Sequence, residues 1–156
     1  MNKNNLIKLF ASIIICELAG VVGSIFTAPA VGTWFKTLVK PVFAPPNWVF
    51  GPVWSMLFFL MGISLYLVWN KKGNKEQALQ FFAIQLFLNI AWSFLFFGLR
   101  SPYLAFIGII FLWIAILFTI IKFYKINKIS AYLLVPYILW VSFAAILNCS
   151  LWILNG

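Results

Sequence analysis

Two stripes of amide and aromatic side chains are the residues best placed to do chemistry. Gln85, Asn89, Trp92 and Phe96 recur at i, i+4, i+7 and i+11, and Tyr137, Trp140, Ala144 and Asn148 at i, i+3, i+7 and i+11. On a helix each set falls on one face. Such a face joins flat π surfaces to hydrogen-bonding amides, as a flat ligand with polar edges requires. Plain packing uses the same pattern, with Asn and Gln as hydrogen-bonding groups between helices. A third face holds Trp48, Ser55 and Gly62, with Trp54 beside it.

What is missing narrows the chemistry further. The chain has no His, and its two acidic residues are both Glu. A Ser-His-Asp triad and a paired-Asp site are therefore impossible. No cluster of His, Cys and carboxylate offers a metal site, and side chains able to ligate haem iron are limited to isolated Cys, Met and Tyr. Glu17 interrupts an apolar run. An ionisable group there is a functional candidate, or else a protonated or hydrogen-bonded group packing one helix on another. Glu76 reads as a solvated residue at a helix start, complementing the helix dipole.

The elements that must position these residues are membrane helices. Of 156 residues, 65% are hydrophobic and only 8% charged, too apolar for a soluble domain of this size to bury. The apolar residues come in runs of the roughly 20 residues that cross a bilayer as a helix. The expected fold is an all-α integral membrane protein, one domain of five transmembrane helices at about 9–28, 46–69, 78–99, 102–122 and 130–153. Of the connections, 31–45 is the one long enough to form a lid. Pro46 suits a first helical position, and Gly51-Pro52 should kink the second helix or open its backbone. The basic start and Ala28-Pro29-Ala30 resemble a cleaved signal peptide, but Glu17 and Pro29 argue for a retained helix.

Charge orients the bundle. The net charge is +9, yet the basic residues lie between apolar runs, so the expected partner is the lipid bilayer and no nucleic acid. Lys3, Lys8, Lys71, Lys72, Lys75, Lys122, Lys125 and Lys128 share one side, and Lys36, Lys40 and Arg100 the other. This predicts a cytoplasmic N-terminus and an outer C-terminus in a prokaryotic cell membrane. Cys16 and Cys149 both fall within apolar runs and read as small hydrophobes.

The stretch 34–54 resembles the tryptophan-rich sensory protein/translocator protein (TspO/MBR) family. Lys40-Pro41-x-x-x-Pro45-Pro46-x-Trp48, followed by Trp54, carries the likeness. Gly20-x-x-Gly23-Ser24-x-Phe26-Thr27, Gln85-x-x-x-Asn89-x-x-Trp92 with Phe96-Phe97-Gly98-x-Arg100, and Pro136-Tyr137-x-x-Trp140 extend it over about 20–148. Phe43 stands where the family usually has Trp, which removes an indole N–H donor.

The resemblance implies a five-helix bundle, commonly a homodimer, with a pocket roofed by the first loop. It implies binding of porphyrins, protoporphyrin or haem-like, as ligands, with no obligatory cofactor. In some members it implies light-dependent degradation of protoporphyrin. The implied pocket residues are Trp34, Pro41, Pro45, Trp48, Trp54, Asn89, Trp92, Tyr137, Trp140 and Ala144. Lys36 or Lys40 would pair propionates, and Trp54 and Trp140 would supply electrons to the excited pigment. Sterol binding, implied for animal relatives, fails here, because no Lys or Arg follows Lys128. The alternatives are a small transporter of apolar or anionic solutes and a sensor or scaffold that only binds.

Overall fold

The computed structural model describes residues 3–156, and the described segments are helices and short connections. Helix α1 is Lys3–Val31, and a single turn, α2, is Trp34–Thr37. A 3₁₀ turn at Asn47–Val49 leads into α3, Phe50–Trp69. Helix α4, Glu76–Ser93, ends in a wide π-helical turn at Phe94–Gly98, and α5 is Pro102–Ile126. The last span is α6, Lys128–Leu133, followed by α7, Val135–Asn155. Five helical stretches are long and apolar enough to cross a membrane.

The chain closes into a ring. Helix α1 packs against α3 and α4, α4 against α5, α5 against α7 and α6, and α6 back against α3. Spans one and two meet at Gly62, where an added Cβ would lie 2.6 Å from Ile13 Cα. A side chain there would push the two backbones apart, so glycine sets their separation. At the α6 end, Ser64 Oγ donates to the Ser130 carbonyl at 2.8 Å. Toward the other end α3 and α7 separate, and aromatic pairs bridge the space: Trp54 with Tyr137 at 6.2 Å and Phe50 with Trp140 at 6.0 Å between ring centroids.

Several ends differ from the sequence expectation. Helix α1 continues to Val31 and contains Pro29 in its last turn, where the missing N–H leaves the Ile25 carbonyl without its helical donor just before the helix ends. Pro46 is extended (φ −56°, ψ 144°) and caps the 3₁₀ turn from outside. Pro52 lies in the first turn of α3 and leaves the Trp48 carbonyl without its α-helical donor, which a 3₁₀ turn upstream accommodates. The final span is interrupted at Leu134, just before Pro136.

The π turn at the end of α4 was not expected. Leu99 N–H reaches back to the Phe94 carbonyl at 2.8 Å, closing a ring one residue wider than in an α-helix. Arg100 then takes a left-handed conformation (φ 53°), and Ser101 caps α5 by accepting from Leu104 N–H at 3.3 Å. The extra residue turns Phe97 as well as Phe96 toward the bundle interior.

Candidate ligand cavity

A cavity of about 340 Å³ lies within the half of the bundle nearest the 31–45 loop. That volume falls in the range of small-molecule sites, roughly 300–1,000 Å³. Helix α1 contributes a small, polar face: Glu17, Gly20, Gly23, Ser24 and Thr27. Helix α3 contributes Phe50, Gly51, Trp54, Ser55 and Phe58. From α4 and its π turn come Asn89, Trp92, Ser93, Phe96 and Phe97, and from α7 Trp140, Ala144, Leu147, Asn148 and Leu151. Phe35 of α2 and Val31 close the roof.

Hydrogen bonds hold the walls in register. Trp92 Nε1 donates to Asn148 Oδ1 at 3.0 Å, and Asn148 Nδ2 donates to the Pro102 carbonyl at 2.7 Å. One amide thus fixes an indole of α4 and the start of α5 to α7. Deeper in the bundle, Asn89 Nδ2 donates to Tyr137 Oη at 2.8 Å, and Tyr137 Oη donates to Gln85 Oε1 at 2.9 Å. Gln85 Nε2 points at Met61 Sδ, 3.8 Å away. These groups are buried, so each bond matters mainly because its loss would strand a polar atom. Trp140 Nε1 is the buried side-chain nitrogen or oxygen among the described residues that has no partner.

The two sequence stripes on α4 and α7 both face inward. Trp54, Asn89, Trp92, Trp140 and Ala144 line the cavity. Tyr137 stands behind it, buried, positioning Asn89 and contacting the Trp54 ring edge-on. The stripe on the second span does not hold as one face. Trp48 precedes α3 in a 3₁₀ turn, which shifts its phase, and it is 74% exposed.

None of the loop candidates Trp34, Lys36, Lys40, Pro41, Pro45 and Trp48 lines the cavity itself. Trp34 packs edge-on against Phe96 at 5.6 Å, one layer behind the wall. The Lys40 ammonium sits 4.4 Å from the centre of the Phe35 ring, above the roof. Lys36 is exposed, and Pro41 and Pro45 are half-buried in the loop, where the Pro41 carbonyl accepts from Ala44 N–H at 3.0 Å. Phe43 meets Phe143 edge-on at 6.3 Å and is half exposed. Residues beside the motif positions do the lining: Phe35, Phe50 and Phe58, with Ser55 of the third face. The signal of the three phenylalanines in the sequence was only apolar bulk near the named tryptophans. Among the described residues, no group of three His, Cys, Asp or Glu could hold a metal ion.

Comparison with known proteins agrees with this architecture. The model of the TspO/MBR family matches residues 12–153. The chain belongs to the TspO/MBR family. It is 46% identical over 153 residues to a tryptophan-rich protein TspO of Archaeoglobus fulgidus, covering 97% of this chain and 99% of the relative. It is 37% identical over 143 residues to protein CrtK of Rhodobacter capsulatus, covering 90% and 88%. With the translocator protein of Homo sapiens it shares 38% identity over 140 residues, covering 87% and 83%. As a TspO/MBR protein with five apolar helices, it is a multi-pass membrane protein whose aromatic cavity lies within the matched segment.

Proposed function

We propose that this protein binds a flat, conjugated amphiphile of the porphyrin class in the cavity beneath the 31–45 loop. The observation that carries the reading is the convergence of Trp54, Trp92 and Trp140, from three different helices, on one cavity among fixed amides. Indole faces stack on a macrocycle, and the amides Asn89 and Asn148 stand at its edges. Lys40, placed over the roof, is the cation best positioned to meet an acidic substituent at the mouth.

On this reading Trp54 and Trp140 are electron donors. Light excites the bound ring, and one electron passes from an indole to it, leaving an indole radical and a reduced ring. The protein's part is to hold ring and indole together and to exclude bulk water. Neither an acid–base pair nor a nucleophile is needed, which suits a cavity with one ionisable lining residue. A homodimer with its N-terminus in the cytoplasm completes the proposal.

The test is a dark titration of the reconstituted protein with protoporphyrin, followed by quenching of tryptophan fluorescence. Saturable quenching is expected, and Trp54→Ala with Trp140→Ala should weaken affinity by about tenfold or more through lost stacking. Linear, unsaturable quenching, unchanged in the double variant, would show partition into lipid only.

A further inference from the structure

The cavity is polar at one end in a particular sense. On each helix the lining residue farthest from the loop is Glu17 of α1, Phe58 of α3, Asn89 of α4 and Trp140 of α7. These four make its floor. Glu17 and Val31 both line the cavity and lie 14 residues apart on α1, roughly 21 Å at helical rise. The Lys40 ammonium is above the roof. A carboxyl at the floor and an ammonium against the roof residue Phe35 therefore give the cavity a charge direction along its length.

The floor offers acceptors on Glu17 and Asn89 beside the unpaired indole N–H of Trp140. Glu17 is the one ionisable side chain lining the cavity, and it has no hydrogen-bond or ion-pair partner among the described residues. One N–H of the Asn89 amide goes to Tyr137, which leaves its second N–H and Oδ1 open. An unpaired carboxyl at mid-span is costly unless a donor reaches it. Glu17 is partly exposed at the cavity wall and is the one lining group that can carry charge, so it is the group that discriminates between charged edges of a ligand.

We propose that Glu17, with Asn89 Oδ1, favours a cationic edge of a flat bound amphiphile and repels an anionic one. This rests on the cavity being the ligand site. It deepens that reading by fixing orientation: acidic substituents point toward Lys40 and away from Glu17, and any ammonium group points toward the floor. It also predicts that flat cations without acidic groups are ligands.

The experiment uses two dyes with one ring system, 9-aminoacridine and acridine-9-carboxylate, titrated in the dark in nanodiscs of zwitterionic lipid. Wild type should bind the aminoacridine at least about tenfold more tightly than the carboxylate, despite the +9 net charge favouring anions. Glu17→Gln removes the charge but keeps an acceptor and should cut that preference to within about threefold. Glu17→Leu removes both and should do the same while also weakening the aminoacridine. Glu76→Gln, the same charge change at an exposed position on α4, should leave the ratio as in wild type. Protoporphyrin binding by wild type is measured alongside. If protoporphyrin binds and the dye ratio is near one, or is unchanged in Glu17→Gln, the floor assignment is wrong and the cavity reading stands. If neither protoporphyrin nor either dye binds, the cavity reading fails and takes this inference with it.

Discussion

Asn155, near the C-terminus, exchanges two hydrogen bonds with the backbone of Val39, 116 residues away. Val39 N–H donates to Asn155 Oδ1 at 2.9 Å, and Asn155 Nδ2 donates to the Val39 carbonyl at 3.0 Å. The same nitrogen reaches the Leu151 carbonyl at 2.8 Å, and Leu151 lines the cavity. An amide side chain thus ties the loop to the end of α7 as a neighbouring strand would.

Cutting this tie should free the loop without unfolding the bundle. Asn155→Ala removes two hydrogen bonds worth about 1 kcal/mol each, so amide exchange across 33–45 should quicken by about tenfold or more. Helical amides of α4 and α5 should exchange as before. Mass-spectrometric hydrogen exchange checks this, and an unchanged loop would mean that Asn155 does not restrain it.

A second prediction concerns the buried chain Asn89–Tyr137–Gln85. Tyr137→Phe keeps the ring but strands Asn89 Nδ2 and Gln85 Oε1. Stability should fall by about 1–3 kcal/mol, fully buried polar atoms being costly and membrane partners partly re-pairing. Adding Gln85→Met and Asn89→Leu should recover part of the loss, because no polar atom is then left unpaired. Unfolding curves in mixed detergent measure both. A triple variant less stable than Tyr137→Phe would contradict the account.

Much of this fold was legible in the sequence because the bilayer allows few solutions. Runs such as 103–121 could only be spanning helices, and the i, i+4, i+7 spacing on α4 and the i, i+3, i+7 spacing on α7 placed Asn89, Trp92 and Trp140 inward. Local backbone events were not legible. The π turn at Phe94–Gly98 depends on how the chain reaches Arg100 and the Ser101 cap, and no residue in FLFFG announces it. The loop misled in a different way. Its Trp, Lys and Pro residues match the family motif, yet they shape and cover the roof while Phe35 and Phe50 provide the surface. The α1 face was hidden too, because Gly20, Gly23 and Ser24 show their use only once the partner helices are placed.

The basic residues predict an orientation in the membrane. Single cysteines at Gly32 and Lys72, with Cys16 and Cys149 replaced, occupy connections at opposite ends of the bundle. In oriented cell-membrane vesicles, an impermeant maleimide should label position 72 only from the cytoplasmic face and position 32 only from the outer face. The reverse pattern would invert the topology and put the cavity mouth toward the cytoplasm.

The role of Trp54 and Trp140 is tested most directly by following protoporphyrin absorbance against illumination time in the Trp54→Phe, Trp140→Phe double variant, with affinity measured separately in the dark. Phe keeps most of the stacking surface but is far harder to oxidise. Dark affinity should stay within a few-fold of wild type, while light-driven loss of the pigment should slow by about tenfold or more. Trp152→Phe serves as the control, since Trp152 packs on Phe106 and Tyr103 away from the cavity and should alter neither quantity. Pigment loss at the wild-type rate in the double variant would contradict electron donation by Trp54 and Trp140.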